Sequence, residues 1–357
     1  MPKVIIVGAG MIGAAAAYQL QAARADVTVI DAGKTSATAA SFGWINSSFY
    51  LNADHRKLRI EGIAAHLRLC AQIDLPVNWC GSLCWEHEGA AFDRQRDELA
   101  AIGYDVEEID AAAFAALEPQ IGEPPARCLR FKSEAAAESR KMANALLRAA
   151  IDRGARIFNG LEVTGFLTQG ERVAGVQTNA GKFTADHVLL AAGTATGALA
   201  NTLGINLPIL DRPALAIKTR PVEPIIRHVL VAWFGEVRQL PDGSITIPAT
   251  VGHQADTAAK LAEPADILAA QAMDRLRALL PGRQLELGQV VLAHRPMPGD
   301  ELPVAGEALP GLTIAVMHSG ITLGALMGEL IAAELLGGDC SHWLAPYRPE
   351  RFTTTNG

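Results

Sequence analysis

The sequence predicts an α/β fold in which a domain built on a parallel sheet is joined to a second, α+β domain of antiparallel sheet. Three observations indicate this. The β-branched run Lys3–Val7 leads through a glycine-rich turn into an alanine-rich helix. A second unit of apolar strand, glycine and helix covers residues 312–336. Hairpin signals, of which Pro241-Asp242-Gly243 is the clearest, occupy the stretches between these units.

The opening element has the order strand, G-x-G-x-x-G turn, helix, strand and acid. In the turn, Gly8 permits a tight bend, Gly10 lets the backbone approach a pyrophosphate, and Gly13 lets the helix pack on the strand. The second strand ends in Asp31, 18 residues after Gly13, where a carboxylate can accept hydrogen bonds from ribose hydroxyls. An acid there favours an unphosphorylated ribose, as in NAD or FAD, over NADP. The alternative is a glycine turn without a ligand, which the ordered strands and acid disfavour.

The remaining elements follow from periodicity and from turn residues. Helical spacing and caps predict helices over residues 14–20, 54–70, 93–101, 111–117, 141–153, 266–280 and 320–336. Apolar and β-branched runs predict strands over residues 3–7, 26–30, 78–85, 106–110, 156–158, 161–163, 172–178, 181–184, 187–191, 214–220, 230–240, 244–247 and 312–316. The strands near residues 5, 28, 157, 189 and 314 are expected to share one parallel sheet.

Composition excludes several classes of protein. The 357 residues are 50% hydrophobic and 19% charged, which is enough for a large core, and the net charge is −7 without a Lys/Arg-rich run, which disfavours nucleic acid and anionic membrane surfaces as partners. The five cysteines show no zinc spacing, so we expect reduced thiols and no metal. The first apolar run is already the opening strand, and no uncharged run is suited to a membrane helix. We therefore expect a soluble, cytoplasmic protein without a transmembrane segment.

Four blocks of the chain resemble the FAD-dependent amine and amino-acid oxidoreductases of the D-amino-acid oxidase type, which include glycine oxidase, sarcosine oxidase and D-amino-acid dehydrogenase. The blocks are residues 4–31, 185–193, 295–306 and 318–323. The resemblance implies a Rossmann-like FAD-binding domain with a discontinuous antiparallel-sheet substrate domain. The FAD-binding domain is expected over residues 1–78, 138–209 and 292–357, and the substrate domain over residues 79–137 and 210–291.

The resemblance also assigns site residues. Those expected to bind FAD are Gly8, Gly10, Met11, Ile12, Gly13, Asp31, Ala32, Ser41, Gly43, Asn46, Val163, Ala192, Gly193, His318, Ser319, Gly320, Ile321, Thr322 and Leu323. The helix that opens at Gly320 offers free N–H donors, and in the family this end lies near the flavin pyrimidine ring, where it favours the reduced form. No cysteine stands at Val316-Met317-His318, so FAD is expected to be non-covalent.

Arg295 is the candidate residue for substrate. By resemblance it matches the arginine that binds the substrate carboxylate in glycine and D-amino-acid oxidases, and the guanidinium fork suits a carboxylate bidentately. The alternative is a surface or interdomain salt bridge. Trp233, Arg238 and His253 are weaker candidates for the lining of the substrate pocket, with a structural role as the alternative.

The expected reaction is oxidation of the C–N bond of a small amino acid or N-substituted amino acid. A hydride moves from Cα to flavin N5, and the resulting imine hydrolyses to an oxo acid. The amine must be neutral, so activity is expected to rise with pH, and no dedicated base is required. The alternatives are a flavin dehydrogenase of a hydroxy acid or polyol phosphate, an NAD-dependent dehydrogenase, or an FAD-binding subunit of a hetero-oligomeric oxidase. The electron acceptor, which could be oxygen, a quinone or a partner protein, and the choice between homo- and hetero-oligomer stay open.

Overall fold

The computed structural model describes residues 1–251, 257, 259 and 261–352. Over these ranges the strands, in chain order, are β1 (Lys3–Val7), β2 (Asp26–Asp31), β3 (Trp44–Ile45), β4 (Val77–Asn78), β5 (Ser82–Cys84), β6 (Glu107–Asp110), β7 (Arg127–Phe131), β8 (Ala135–Ala137), β9 (Arg156–Asn159), β10 (Val163–Gln169), β11 (Arg172–Thr178), β12 (Gly181–Thr184), β13 (His187–Leu190), β14 (Ile209–Leu210), β15 (Pro213–Thr219), β16 (Val229–Ala232), β17 (Gly235–Gln239), β18 (Ile245–Pro248), β19 (Leu287–His294), β20 (Met297–Pro298), β21 (Val304–Leu309) and β22 (Leu312–Val316).

The α-helices of the same ranges are α1 (Met11–Ala22), α2 (Ala37–Ala40), α3 (Ala53–Cys70), α4 (Gly89–Ala101), α5 (Ala111–Leu117), α6 (Ser139–Asp152), α7 (Thr196–Asn201), α8 (Ala265–Leu279), α9 (Gly320–Leu335) and α10 (Ser341–Leu344). Short 3₁₀ turns cover Gly193–Ala195, Ala345–Tyr347 and Pro349–Phe352. Side-chain caps start two of the predicted helices. The Asn52 carboxamide accepts from the His55 N–H (2.9 Å) at α3, and the Asp110 carboxylate accepts from the Ala113 N–H (2.8 Å) at α5.

A six-stranded sheet in the order β21-β22-β13-β1-β2-β9 forms the centre of the fold. All neighbours in it pair in parallel except the edge strand β21, which pairs antiparallel with β22. The predicted sharing of one sheet by the strands near residues 5, 28, 157, 189 and 314 is confirmed. Because these strands are parallel, their carboxyl ends meet at one edge of the sheet, which is where α/β proteins bind ligands.

Both faces of this sheet are covered. Val4 and Ile6 of β1 pack into the core beneath helices α1, α6 and α9, whereas Ile5 and Val7 pack into the opposite core with residues of the β10-β11-β12 sheet. This alternation is the period of two that a strand imposes on its side chains. Each buried Ile or Val contributes about 1.5–3 kcal/mol relative to exposure.

Small residues bring α9 close to its neighbours. A Cβ on Gly324 would lie 2.5 Å from the Met11 Cγ atom, and one on Gly328 would lie 2.7 Å from Ala15 Cβ. A Cβ on Gly62 of α3 would lie 2.8 Å from the Thr322 carbonyl oxygen. Any larger residue at these positions would push the helices apart. The close packing therefore holds the N-terminus of α9 beside α1 and α3, near the glycine-rich turn.

An eight-stranded sheet in the order β19-β15-β18-β17-β16-β5-β7-β6 forms the second large layer. Its neighbours pair antiparallel except β16 and β5, which are parallel. Its core lies against α8, where Phe234, Ile247 and Leu276 are buried together. The mixed α/β architecture with one largely parallel and one largely antiparallel sheet is the fold class that the sequence predicts.

Three strand predictions need correction. Residues 230–240 form a hairpin rather than one strand, because the chain turns at Trp233 and Phe234 and Ala232 pairs with Gly235, whose φ is +94°. Residues 78–85 are two strands separated at Gly81, which has a φ of +75°. The strand expected at 161–163 begins only at Val163. In the first two cases a glycine with a positive φ interrupts the strand, and apolar periodicity does not reveal such an interruption.

The division into two domains stays a prediction. Strand β19 continues to His294, past the predicted boundary after residue 291. In the part of the chain that the structure describes, no helix has both the length and the apolar character that spanning a membrane requires.

Candidate functional site

A cavity of about 670 Å³, called here the first cavity, opens at the carboxyl edge of the parallel sheet. Its lining includes Val7, Asp31 and Val316, the last residues of β1, β2 and β22. Its volume lies within the range of roughly 300–1,000 Å³ that is common for small-molecule sites. Sheet topology thus gathers the glycine-rich turn and the carboxyl-terminal strand–helix unit around one space, although they are more than 300 residues apart in sequence.

The glycine-rich turn has the two structural features that the sequence predicts. Gly8 adopts a φ of +106°, and a Cβ there would lie 2.4 Å from the Ala191 carbonyl oxygen. A Cβ on Gly13 would lie 2.0 Å from the Gly8 carbonyl oxygen, so only glycine lets α1 pack this closely on the turn. Helix α1 begins at Met11, and the residues at its start, Gly10, Met11 and Ile12, line the first cavity, where the N–H groups of a first helical turn have no partner within the helix.

Asp31 has a role in this turn that the sequence does not indicate. Its Oδ2 atom accepts from the Ala9 N–H and its Oδ1 atom accepts from the Gly33 N–H, both at 2.8 Å. The carboxylate also lines the first cavity, where the predicted contact with a ribose would be made. It therefore ties the glycine-rich turn to the end of β2, in addition to the ribose contact expected for it.

Replacement of Asp31 by alanine is expected to weaken FAD binding by roughly 10- to 100-fold. A hydrogen bond to a charged group contributes about 1.5–3 kcal/mol, and loss of the carboxylate releases the Ala9 N–H as well as any ribose contact. Titration of the apoprotein with FAD, followed by flavin fluorescence, gives the affinity. The control is Asp26→Ala at the other end of β2, whose carboxylate pairs with Arg156 at 2.7 Å. Equal affinities in the two variants would contradict the assignment.

Thr38 is a residue of the first cavity that sequence reasoning missed. The Met11 N–H donates to Thr38 Oγ1 (3.0 Å), and a Cβ on Gly10 would lie 3.2 Å from the same oxygen. The hydroxyl therefore lies over the start of α1. Helix α2, which carries Thr38, is capped by the Ser36 hydroxyl, an acceptor from the Ala39 N–H at 3.2 Å. The sequence did offer an indication of this contact, because the stretch of small residues after Asp31 contains serine and threonine, whose hydroxyl groups can accept from backbone N–H groups.

These features fit an adenine dinucleotide. The turn lacks side chains where a pyrophosphate would approach, a helix N-terminus is directed at the cavity, and a carboxylate closes the end of β2. None of the five cysteines, all of which the structure describes, lines the cavity. That arrangement supports, but does not test, the expectation of a non-covalent cofactor.

A smaller space of about 190 Å³, called here the second cavity, adjoins the first. The two share wall residues, among them Ser41, His318 and Ile321, and so form one cleft. Arg295 lines the second cavity and is half-buried, and its backbone N–H donates to the Arg212 carbonyl oxygen at 2.8 Å. The cleft therefore runs from the glycine-rich turn, past the N-terminus of α9, to Arg295.

The FAD-binding residues expected from sequence mostly fall on this cleft. Lining the first cavity are Gly8, Gly10, Met11, Ile12, Asp31, Ala32, Ser41, Val163, Ala192, Gly193, His318, Gly320 and Ile321. Lining the second cavity are Ser41, Gly43, Asn46, His318, Ser319, Ile321 and Thr322. Gly13 and Leu323 line neither, since both face helix and strand packing. A cofactor contact for each of these residues stays a prediction.

Two of the weaker candidates, Trp233 and Arg238, line neither cavity. Trp233 is at the β16–β17 turn and is 54% exposed. Arg238 is buried beneath the Phe42 ring and donates to the Ala137 carbonyl oxygen (3.0 Å), and burial lowers the pKa of Arg238 to about 10. His253 lies outside the described residues.

Besides Thr38, the cleft residues that sequence reasoning missed include the titratable side chains of Arg59, Asp211, Glu236 and His294. His294 Nδ1 lies 2.8 Å from Asp211 Oδ1, at the exposed edge of the cleft. The sequence contains a pattern from which the burial of Arg59 could have been predicted. The buried positions of α3 include Leu58, Gly62 and Ile63, and Arg59 falls on the same helical face. A charged residue on an apolar face marks a buried polar site.

A buried carboxylate supports the wall of the second cavity. Glu134 accepts from the Trp44 indole N–H (2.9 Å), the Tyr104 hydroxyl (2.7 Å) and the Ser48 N–H (3.2 Å). Burial raises the pKa of Glu134, and these hydrogen bonds oppose the rise. Glu134 thereby anchors the segment that places Asn46 in the cavity wall.

His66 fixes the first turn of α9 from the side of α3. Its Nε2 atom lies 2.8 Å from the Ile321 carbonyl oxygen, an arrangement in which Nε2 carries the proton and donates. Burial lowers the pKa of His66 to about 4. The imidazole is therefore neutral at pH 7 and positions α9 without adding a charge.

The free energy of unfolding is expected to fall by up to about 3 kcal/mol through His66 as the pH drops from 6.5 towards 4. In this window the unfolded chain binds a proton at His66 that the folded chain does not, so the pKa depression destabilises the fold as acid is added. Urea unfolding across this range should show a shallower decline for His66→Gln, whose side chain does not titrate. A residual decline is expected from His55, because burial lowers its pKa to about 3. Identical declines in wild type and variant would contradict the prediction.

Comparisons with known proteins agree with this geometry. The family described as DAO, FAD dependent oxidoreductase, matches residues 3–334. The glycine oxidase of Pseudomonas putida is 26% identical, with 98% of each chain covered. The bifunctional protein ThiO/ThiG of Nostoc sp. is 28% identical over 92% of this chain, which spans only 52% of that relative's length. The solved glycine oxidase of Geobacillus kaustophilus superposes with a TM-score of 0.85 at 23% identity, covering 98% of this chain and 99% of that one.

Proposed function

Because the chain belongs to the DAO family of FAD-dependent oxidoreductases, we propose that it oxidises the C–N bond of a small amino acid or an N-substituted amino acid. The protein is an FAD-dependent oxidoreductase by family, and the amine donor is the proposed part. The observation that carries the proposal is the place of Arg295, a residue that lines the same cleft as the glycine-rich turn and the N-terminus of α9.

The size and polarity of the second cavity support a small carboxylated substrate. The space is about 190 Å³, and Ala214, Leu215 and Ala216 of β15 form an apolar part of its wall. Arg295 supplies a guanidinium fork that matches a carboxylate. A cation beside a short apolar wall suits an amino acid with a small side chain better than an uncharged alcohol. The relation to glycine oxidases points the same way.

The chain's own residues bind and orient in this proposal. When bound, FAD supplies the redox chemistry, since its N5 atom accepts a hydride. Arg295 holds the carboxylate and thereby fixes the direction in which Cα–H points, which is a catalytic contribution of position. The amine reacts only with its nitrogen lone pair free, so it loses its ammonium proton to solvent before the C–H bond breaks. We therefore expect kcat/KM to rise with pH, and we assign no side chain as a base.

The test is anaerobic reduction of the bound flavin by a panel of substrates. The panel contains glycine, sarcosine, both enantiomers of alanine and proline, lactate and glycerol 3-phosphate. The proposal expects the visible absorbance of the flavin to bleach with one or more amino acids, with formation of an oxo acid and ammonia or an amine. Bleaching by lactate or glycerol 3-phosphate alone would overturn it in favour of a hydroxy-acid or polyol-phosphate dehydrogenase.

Three further expectations concern the electron acceptor, a partner subunit and the location in the cell. The same assay run in air and with a dye identifies the electron acceptor as oxygen or another carrier. Absence of bleaching with every compound, together with co-purification of partner chains, would favour the role of an FAD-binding subunit. A cytoplasmic location stays a prediction from sequence, to be checked by cell fractionation.

A further inference from the structure

Arg59 is a fully enclosed cation on the wall of the second cavity. Its side chain belongs to the second turn of α3, and the residue is only 3% exposed. Its Nη1 donates to the Ser319 hydroxyl at 2.5 Å, and its Nη2 donates to the Asn46 carboxamide oxygen. Its Nε atom is buried and has no hydrogen-bond partner among the described residues. Burial of a guanidinium with neutral partners is costly.

The charge of Arg59 has no direct counter-ion in the described part of the chain. Its hydrogen-bonding partners are neutral, and the acid that acts on it most is Glu134, at longer range. That carboxylate is itself held by Trp44 and Tyr104. Burial lowers the pKa of Arg59 to about 10, so the guanidinium keeps its charge at pH 7. An incompletely balanced positive charge therefore faces the cleft.

A second source of positive potential meets Arg59 at the same point. Ser319, which accepts from Arg59, is the N-cap of the 16-residue helix α9. The N-terminus of such a helix carries a partial positive charge and N–H groups without partners within the helix. Ile321 and Thr322, in its first turn, line the second cavity. Anions are favoured where these two effects coincide.

The course of the cleft indicates which end of FAD reaches this point. The pyrophosphate and ribose of the ADP half require the glycine-rich turn and Asp31, at one end of the first cavity. The isoalloxazine is the other end of FAD, so it has to extend towards the wall that both cavities share, at Ser41, His318 and Ile321. Arg59 and the start of α9 adjoin that wall.

We propose that Arg59 tunes the cofactor: with the N-terminus of α9, its buried charge stabilises the negative charge that the isoalloxazine gains on reduction. Transfer of a hydride to N5 adds two electrons and one proton, and the ring system then carries one negative charge unless a second proton is bound. A fixed cation beside the ring lowers the energy of that product relative to oxidised FAD. The proposal depends on FAD binding in the cleft, not on which amine is oxidised.

The test measures the bound flavin without any amine substrate. The variants are Arg59→Gln, which keeps hydrogen-bonding groups without the charge, Arg59→Met, which removes both, and Arg59→Lys, which keeps the charge. The control is Arg68→Met on the same helix, whose guanidinium is paired with Glu61 and Glu329 near the surface. Each holoprotein is reduced against a reference dye for the midpoint potential. Each is also titrated with sulfite, whose adduct at N5 places negative charge on the same ring.

The two neutral variants should lower the equilibrium constant for reduction at least tenfold, which is a fall of about 30 mV in the midpoint potential. Their dissociation constants for sulfite should rise at least tenfold as well. Arg59→Lys should recover most of both effects, and Arg68→Met should change neither. A merely structural role would change FAD affinity without changing the potential.

Two results would overturn the proposal. One is a neutral variant that binds FAD with the potential and sulfite affinity of the wild type. The other is failure of both neutral variants to hold FAD, which would make Arg59 a structural residue that joins α3 to α9. Neither measurement uses an amine. The role of Arg59 can therefore be tested even if the protein does not oxidise the proposed class of substrate.

Discussion

Replacement of Arg295 by alanine is expected to lower kcat/KM for a carboxylated amine by roughly 10²- to 10⁴-fold. A bidentate contact comprises two hydrogen bonds between charged groups, each contributing about 1.5–3 kcal/mol, and each 1.36 kcal/mol is a factor of about ten in rate. The loss should appear in steady-state kinetics with the best amino acid of the panel. FAD content should stay at the wild-type level, because Arg295 lines the second cavity and not the first.

The matched control for this prediction is Arg212→Ala. Arg212 is the hydrogen-bonding neighbour of Arg295 along the backbone, but its guanidinium pairs with Glu301 at 2.6 Å and lies outside the lining of both cavities. A comparison with an amine that lacks a carboxylate separates binding of the carboxylate from general damage. If Arg295→Ala and Arg212→Ala reduce kcat/KM equally, Arg295 is not the residue that binds the carboxylate.

Replacement of Gly13 by alanine is expected to destabilise the protein by about 1–3 kcal/mol and to abolish FAD binding at micromolar cofactor. The new Cβ would overlap the Gly8 carbonyl oxygen, which is backbone and cannot rotate away. Relief requires α1 to move off the glycine-rich turn, and the N–H groups of its first turn move with it. Urea unfolding gives the loss of stability, and the visible absorbance of the purified protein gives the loss of cofactor.

Two other glycines provide the comparison. Gly165 of β10 does not have a positive φ and has open space where a Cβ would stand, so Gly165→Ala should leave FAD content unchanged. Gly10→Ala meets only the Thr38 hydroxyl at 3.2 Å, so it should fold and yet bind FAD weakly, since its methyl group would stand where a pyrophosphate approaches. Full FAD occupancy in Gly13→Ala would show that the turn tolerates the displacement.

The predictions that succeeded depend on local signals with one dominant cause. The turn from Gly8 to Gly13 is specified by steric exclusion of any Cβ, and its flanking strands by continuous burial on both faces. Helices α3 and α5 begin at side-chain caps that are visible in the sequence as Asn52 and Asp110. Such features need no knowledge of distant residues, because the interactions that form them lie within a few positions of the chain.

The predictions that failed or were never made depend on partners far along the chain. The hairpin at Trp233 was missed because the run from Val229 to Gln239 is largely apolar, and pairing of its two halves is decided by the neighbouring strands. Strand β19 was not predicted. It forms an edge of the eight-stranded sheet, and its residues stay exposed or only partly buried although the strand is largely apolar.

By itself, the sequence determined the glycine-rich turn, the parallel sheet and the α/β class, since glycine sterics, capping and burial of alternating residues act over short distances, and the resemblance of four blocks indicated the family. Only the tertiary structure decided that Asp31 also ties down the turn, and that Arg59 is enclosed between α3 and the start of α9. Both outcomes follow from contacts between segments up to 260 residues apart. The burial of a charged side chain and the absence of a counter-ion arise only when such segments meet in the folded protein. Residue composition and motif spacing therefore do not predict them.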